Sequence, residues 1–430
     1  MLKNDVVILA GGFGSRLRSV LGEEIPKPMV RLNGKPLLEW QIMLCQEYGF
    51  TNILILVHHL AERIIDYFGT GERFGVNIEY SFEKSPRGTA GAISDSVDKL
   101  SNKVLVIYGD TFLDVNLQKF YLAKESNHAV LTFCHPNSHP YDSDLVQLSD
   151  TDQVLKVFRP EVDGIELYKN CVNAALYVCD KRIFSDFVPP TGVMDISSEL
   201  FPILIKHNLY LKAYISPEYI KDIGTPRRLE LTEKAIQKYV PTLLSDRSLR
   251  RCIFLDRDGV INKEVGHLSD IASFELLPGV CEAIRKINES GYLAICVTNQ
   301  PVIARGDLTE TGLENIHMKM EVELGKLGAY LDAVIYCPHH PDAGFKGEIP
   351  HLKTKCECRK PKPGMLLKAI ETFKIDPLNS WMIGDHSRDI KAGSEANVKT
   401  VFIGPKNTFN DSISSYTASN LLSAVSLILN

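Results

Sequence analysis

Short runs of β-branched and aliphatic residues recur along the chain: NILILVHH from 52, KVLVIYGD from 103, NAALYVC from 173, CIFLD from 252, LAICVTNQ from 293, WMIGD from 381 and KTVFIG from 399. They alternate with stretches of helical period, such as residues 37–48 and 280–290. This alternation predicts parallel sheets covered by helices in both halves of an α/β protein. Residues 226–240 read as an amphipathic helix, and PTLLSDRSLRR follows with a proline, polar residues and three arginines before the next strand. We therefore expect one domain over residues 1–240, a linker over 241–250 and a second domain over 251–430.

Length agrees with that division, since 430 residues correspond to two or three domains at roughly 100–200 residues each. With 44% hydrophobic and 23% charged residues and a net charge of −5 spread without a basic block, nucleic acid is not an expected partner. No apolar run is long enough to cross a bilayer, and VVILA near the start is a strand, not an anchor or signal peptide. Of ten cysteines, Cys45, Cys134, Cys171, Cys179, Cys252, Cys281 and Cys296 are scattered, as in a reducing cytoplasm, whereas Cys337, Cys356 and Cys358 crowd together as metal ligands do.

The chemistry begins where strands end. LAGGFGSRL places Gly11, Gly12 and Gly14 just past a strand, where backbone N–H groups can wrap phosphate oxygens, and Arg16 adds a fixed cation. PKPM mounts Lys27 between two prolines, and RGTAGAI is a small-residue loop able to lie against a flat base. Asp110 ends VIYGD and Asp222 stands in IKDIGTP, a pair able to hold Mg²⁺ on substrate phosphates. Each Asp singly reads as a turn residue or helix cap; the set does not.

In order, LAGGFGSRL, PKPM, GTAGAI, YGD, NAALYV and DIGTP resemble the sugar-1-phosphate nucleotidyltransferases, which include the mannose-1-phosphate guanylyltransferases. The resemblance implies attack of a sugar 1-phosphate on the α-phosphate of a nucleoside triphosphate, with pyrophosphate expelled. It implies that Gly11, Gly12, Gly14 and Arg16 cradle the triphosphate and that Lys27 meets the reacting phosphates. Gly88, Thr89, Ala90 and Gly91 would face the base, Asp110 and Asp222 would hold Mg²⁺, and Asn173 would contact the sugar. Where relatives carry Glu-Lys-Pro, this chain has FRP, so Arg159 replaces the lysine as the grip on the sugar phosphate.

The second half starts again with FLDRDGVIN, which sets Asp256 and Asp258 one residue apart beyond a strand. Thr298 in CVTNQ, Lys360 in CRKPKPG, and Asp385 with Asp389 in MIGDHSRD answer them downstream. That order resembles the haloacid dehalogenase (HAD) phosphatases. The resemblance implies that Asp256 attacks phosphorus while Asp258 protonates the leaving oxygen and then activates water. It also implies Mg²⁺ between Asp256, the carbonyl of Asp258 and Asp385, with Thr298 and Lys360 on the transferring group.

About 180 residues leave little room for a large cap domain. Instead CPHHPDAGFKGEIPHLKTKCECRK offers Cys337, His339, Cys356 and Cys358, a closed structural zinc set, with His340 and His351 as competing nitrogens. With IARG, this loop narrows the resemblance to the heptose-1,7-bisphosphate 7-phosphatases and their histidinol-phosphatase relatives, and implies substrate contacts from Asn299, Arg305 and Arg359. Departures stand at Pro301 and Val302, in place of Ser-Gly, and at His386, in place of lysine.

Together the resemblances imply two Rossmann-like domains: an N-terminal nucleotidyltransferase (GT-A-like) domain and a C-terminal HAD-like domain with a zinc loop in place of a large cap. A 7-phosphatase leaves the heptose 1-phosphate that such a transferase consumes. The expected partners are small-molecule sugar phosphates and GTP, with GDP-heptose as product, in the cytoplasm; an oligomer is compatible with the sequence. Two other readings stay open. One is a hexose or histidinol-type phosphatase fused to a uridylyl- or thymidylyltransferase, and the other is a phosphatase carrying a non-catalytic nucleotide-sugar sensor.

Overall fold

A computed structural model of the chain describes all residues except 1–2, 13–14, 18–21, 23, 84, 345 and 406–415. The described residues form two compact units. One comprises Met1–His135, Ser143–Arg159 and Cys171–Thr242; the other comprises Pro136–Asp142, Pro160–Asn170 and Leu243–Asn430. No helix among the described residues is long and apolar enough to cross a membrane.

In the first unit a nine-stranded mixed sheet has Asn4–Leu9 near its centre, paired in parallel with Asn52–Val57 on one side and Leu100–Tyr108 on the other. Val172–Asp180 continues the sheet antiparallel to Leu100–Tyr108. The central strands are unbroken apolar runs because both faces are covered: Val6, Ile8, Ile53 and Ile55 enter one core, and Val7, Leu54 and Leu56 the other. Each such side chain, when fully buried, contributes about 1.5–3 kcal/mol. A separate two-stranded ribbon pairs Thr111–Asp114 with Tyr219–Asp222.

The second unit has a six-stranded, all-parallel sheet in the order Ala333–Cys337, Tyr292–Asn299, Arg251–Leu255, Trp381–Gly384, Lys399–Ile403, Tyr416–Ala418. Arg251–Leu255 lies between Tyr292–Asn299 and Trp381–Gly384, so three neighbouring strands point their C-terminal ends the same way, the position where open α/β sheets bind ligands. Helix Glu310–Lys326 carries Glu321, whose carboxylate accepts the Asn170 N–H at 2.6 Å inside this unit.

The helices predicted over 37–48, 280–290 and 226–240 run over Leu37–Glu47, Val280–Asn288 and Pro226–Gln237. A short helix, Val240–Leu244, follows. Beyond it Arg250 is 4% exposed and donates to the carbonyls of Leu244 and Phe373, so the arginine-bearing stretch before the second sheet is held by buried hydrogen bonds.

Candidate active sites

The first site gathers at the C-terminal end of Asn4–Leu9. Gly11 is packed so closely that an added Cβ would lie 2.7 Å from Glu83 Oε2, whereas Gly12 faces open space; Gly14 lies outside the described residues. Arg16 sits in a short 3₁₀ turn, Ser15–Leu17, and its guanidinium comes within 3.3 Å of where a Cβ on Gly224 would be. The two ends of the first half, LAGGFGSRL and DIGTP, thus meet.

Lys27, only 9% exposed, sets its ammonium 2.5 Å from Asp110 Oδ2. The ribbon carries Asp222 to the same place, since the Ile223 N–H donates to the Asp110 carbonyl at 3.0 Å. Asp222 in turn accepts from Gly224 N at 2.6 Å and pairs with Arg228 at 2.5 Å. Both carboxylates therefore stand among cations, a setting for polyanionic phosphates, and as oxygen donors they fit Mg²⁺.

The small-residue loop expected at RGTAGAI is the opening turn of a helix, Gly88–Ser94. Gly88 has φ +73°, and a Cβ there would meet the Met194 carbonyl at 2.5 Å, so only glycine fits. The Ala90 N–H donates to that same carbonyl at 3.0 Å, and Thr89 Oγ1 binds Asp195 at 2.9 Å. A Cβ on Gly91 would lie 2.7 Å from that of Arg87.

Arg159 and Asn173 converge through Asp144, which sequence reasoning missed. Its carboxylate holds Arg159 Nη2 at 2.6 Å and its carbonyl accepts Asn173 N at 2.8 Å. The buried Asn173 side chain bonds Thr132 and Ser197 at 2.9 Å each.

The second site crowns Arg251–Leu255 and its two neighbours. Asp256, 3% exposed, accepts Lys360 Nζ at 2.8 Å; the same ammonium lies 2.8 Å from Asp389 and donates to the Val297 carbonyl at 2.8 Å. Burial, then repulsion from Asp389, pushes the Asp256 carboxyl up to about 6 against the pull of Lys360. Asp258 differs. Burial raises it, but Arg257, Asn262 and Gln300 outweigh that and hold it below the usual carboxylate range.

Thr298, next to last in strand Tyr292–Asn299, accepts Gln300 Nε2 at 2.8 Å, while Gln300 also reaches Asp258 Oδ2 at 3.0 Å. Asn299 exchanges two 3.0 Å hydrogen bonds with the Lys360 backbone, so it orients the turn that carries the lysine. Gly259, φ +80°, lets the turn close over Asp385; a Cβ there would lie 2.1 Å from Asp385 Oδ2. Ligand atoms of Asp385, His386 and Asp389 lie within 4.8 Å of one another, an oxygen-rich set suited to Mg²⁺ beside Asp256. Among the departures, Val302 is core, packed with Ile303 and Leu313. His386 leans on Asp385 at 2.8 Å. Arg305 contacts His267, and Arg359 donates to the His339 carbonyl at 3.2 Å.

Starting from Cys337, the last residue of strand Ala333–Cys337, the residues Cys337, His339, Cys356 and Cys358 come together. Cys358 Sγ lies 3.1 Å from Cys337 and 3.2 Å from Cys356, and His339 Nδ1 lies 3.3 Å from Cys358. Cys337 Sγ lies 3.5 Å from Cys356 and 3.6 Å from His339 Nδ1. A tetrahedron of ligands about 2.0–2.3 Å from zinc has edges of about 3.3–3.8 Å, so the four atoms sit slightly closer together than a loaded site and would spread by a few tenths of an ångström to close on zinc. His340 is turned away, accepting Asp342 N at 3.2 Å, and the cluster does not include His351.

Residues 5–238 match the nucleotidyl transferase family, and residues 357–418 match the HAD-hydrolase-like family. The D-glycero-beta-D-manno-heptose-1,7-bisphosphate 7-phosphatase of Haemophilus influenzae is 44% identical over 151 residues, covering 35% of this chain and 79% of that protein. Its counterpart in Escherichia coli K12 is 43% identical over 148 residues, covering 34% and 75%. The solved structure of HddC from Yersinia pseudotuberculosis is 26% identical with a TM-score of 0.47, covering 54% of this chain and 99% of that one. The chain belongs to the nucleotidyl transferase family through its first half, joined in one polypeptide to a HAD-like second half of the heptose-bisphosphate 7-phosphatase family.

Proposed function

We propose that the chain performs two successive steps of nucleotide-activated heptose synthesis. Its second domain removes the 7-phosphate of D-glycero-D-manno-heptose 1,7-bisphosphate, and its first domain transfers GMP from GTP to the heptose 1-phosphate left behind. The observation that carries the reading is the 44% identity over 151 residues to a heptose-bisphosphate 7-phosphatase, in one chain with a nucleotidyl transferase domain whose motifs resemble those of enzymes acting on sugar 1-phosphates. Residues 1–240 carry the transfer and 251–430 the hydrolysis. The reactants are small molecules, and the scattered buried thiols suit the reducing cytoplasm.

In the hydrolysis Asp256 forms a bond to phosphorus as the bond from phosphorus to O7 breaks, and Asp258 gives its proton to O7. Water then attacks the aspartyl phosphate, returns a proton to Asp258 and frees Asp256 with phosphate. The donors around Asp258 favour the carboxylate, the form in which the water step begins. Lys360 and Thr298 hold the transferring group. Asp256, the Asp258 carbonyl and Asp385 would hold Mg²⁺, which would supply positive charge to offset repulsion between nucleophile and substrate. The Cys337, His339, Cys356 and Cys358 set would hold zinc as a structural brace.

In the transfer, an oxygen of the sugar 1-phosphate attacks the α-phosphorus of GTP and pyrophosphate leaves. Gly11, Gly12, Gly14 and Arg16 receive the triphosphate, Lys27 draws charge from the reacting phosphates, and Asp110 with Asp222 would hold Mg²⁺ there. Gly88, Thr89, Ala90 and Gly91 line the base, Arg159 grips the sugar phosphate and Asn173 borders the sugar. Guanine is favoured by the likeness to mannose-1-phosphate guanylyltransferases, because manno-heptose shares mannose's ring stereochemistry.

Separated-step variants test this. Asp256→Asn should make GDP-heptose from heptose 1-phosphate and GTP but none from the bisphosphate, whereas Asp110→Asn should release phosphate and stop at heptose 1-phosphate. If folded Asp256→Asn also loses the transfer step, the two-station reading is wrong.

A further inference from the structure

Arg257, between the two aspartates, is wholly buried at 0% exposure, which is unusual for a guanidinium. Two of its three nitrogens face Asp258: Nε lies 3.2 Å from Oδ1, and Nη2 lies 2.8 Å from Oδ1 and 2.9 Å from Oδ2. The third, Nη1, lies 3.3 Å from Nε2 of His317, on helix Glu310–Lys326 sixty residues away in sequence. His317 is itself 8% exposed and its ring leans on Tyr336, with centroids 5.8 Å apart.

A guanidinium only donates, so Nε2 must carry the lone pair and the ring proton must sit on Nδ1. That requires a neutral imidazole. Burial first, then the neighbouring Arg257, lowers the His317 pKa to about 3, which keeps it neutral at physiological pH. A buried N–H group without an acceptor is costly, so the guanidinium plane is set by satisfying both ends at once: Asp258 at one, His317 at the other.

We propose that His317 is a positioning residue of the phosphatase reaction, which by accepting the Nη1–H of Arg257 fixes the guanidinium fork that presents Asp258 to the leaving oxygen. The inference rests on the reading of Asp258 as the proton donor to that oxygen. The contacts of His317 described above are with Arg257 and Tyr336, so it acts on Asp258 through Arg257. Its loss lets the fork turn, and Asp258 leaves the line of the departing oxygen although Asp256, Lys360 and Thr298 stay in place.

The test compares two leaving groups in the full-length chain with Mg²⁺. A sugar alkoxide needs the proton, and p-nitrophenolate does not, so kcat/KM on the two substrates separates placement of Asp258 from general damage. His317→Leu, which fills the space but accepts nothing, should lower kcat/KM for the heptose bisphosphate about tenfold more than for p-nitrophenyl phosphate. His317→Gln, whose carbonyl oxygen can accept from Nη1, should recover most of that difference. Equal losses on both substrates, or a folded His317→Leu with no loss, overturn the proposal. Should His317→Leu fail to fold, His317→Phe, which keeps a ring of similar size but has no nitrogen to accept from Nη1, makes the same comparison: an unequal loss supports the role and an equal loss overturns it. Wild-type protein that hydrolyses neither substrate would sink the phosphatase reading itself, and this inference with it.

Discussion

The ammonium of Lys360 lies 2.8 Å from Asp256 and 2.8 Å from Asp389, and none of the three side chains is more than 4% exposed. Two carboxylates thus share one buried cation just past the C-terminal end of strand Arg251–Leu255. Removing that cation leaves two buried negative charges facing each other, and breaking a buried pair in this way costs about 3–5 kcal/mol. Lys360→Met should therefore destabilise the second unit by about that amount in denaturant unfolding and abolish phosphate release. The transfer of GMP to supplied heptose 1-phosphate should persist wherever the first unit remains folded.

The proposed zinc brace at Cys337, His339, Cys356 and Cys358 predicts a stoichiometry. Protein purified without chelator should hold about one zinc per chain, bound by three sulfurs and one nitrogen. Cys356→Ser should lower that occupancy and the phosphatase rate together while sparing the transferase. Metal analysis that finds no zinc would contradict the brace.

Asp332 supplies a pH dependence. Its carboxylate accepts the Ala294 N–H at 2.7 Å, and burial pushes its pKa up to about 7. A carboxyl whose folded pKa is raised binds its proton more tightly in the native state than in the unfolded chain, so stability falls as pH climbs from about 4 through 7. Asp332→Asn should flatten that decline. The melting temperature of the variant should approach or exceed that of the wild type at pH 8 and lose its advantage at pH 5.

Much of this was legible in the sequence because the chemistry sits at the ends of strands whose apolar runs announce them. CIFLD, LAICVTNQ and WMIGD become three adjacent parallel strands, and Asp256, Thr298 and Asp385 fall at their ends. Cys337, His339, Cys356 and Cys358 were readable from ligand type and spacing alone, and His340 was set aside only by the direction of its ring. What local sequence does not carry is the pairing of distant side chains. Asp144 with Arg159, Lys27 with Asp110, and Arg257 with His317 are tertiary contacts that no periodicity marks. The inclusion of Pro136–Asp142 and Pro160–Asn170 in the second unit is of the same kind, because it depends on packing such as the Asn170 N–H to Glu321 bond. At RGTAGAI the small residues suggested a loop, whereas Gly88 at positive φ serves as the sharp entry to a helix.

The central claim, that one chain dephosphorylates a heptose bisphosphate and then activates the product, is tested most directly by a phosphorus NMR time course. Wild-type protein, heptose 1,7-bisphosphate, GTP and Mg²⁺ are combined, and product masses are read at the end. The account predicts inorganic phosphate and heptose 1-phosphate first, then pyrophosphate and GDP-heptose in equal amounts, with no nucleotide-linked sugar that still bears a 7-phosphate. A bisphosphate that persists unchanged, or phosphate release with no pyrophosphate from any of the four ribonucleoside triphosphates, would contradict it.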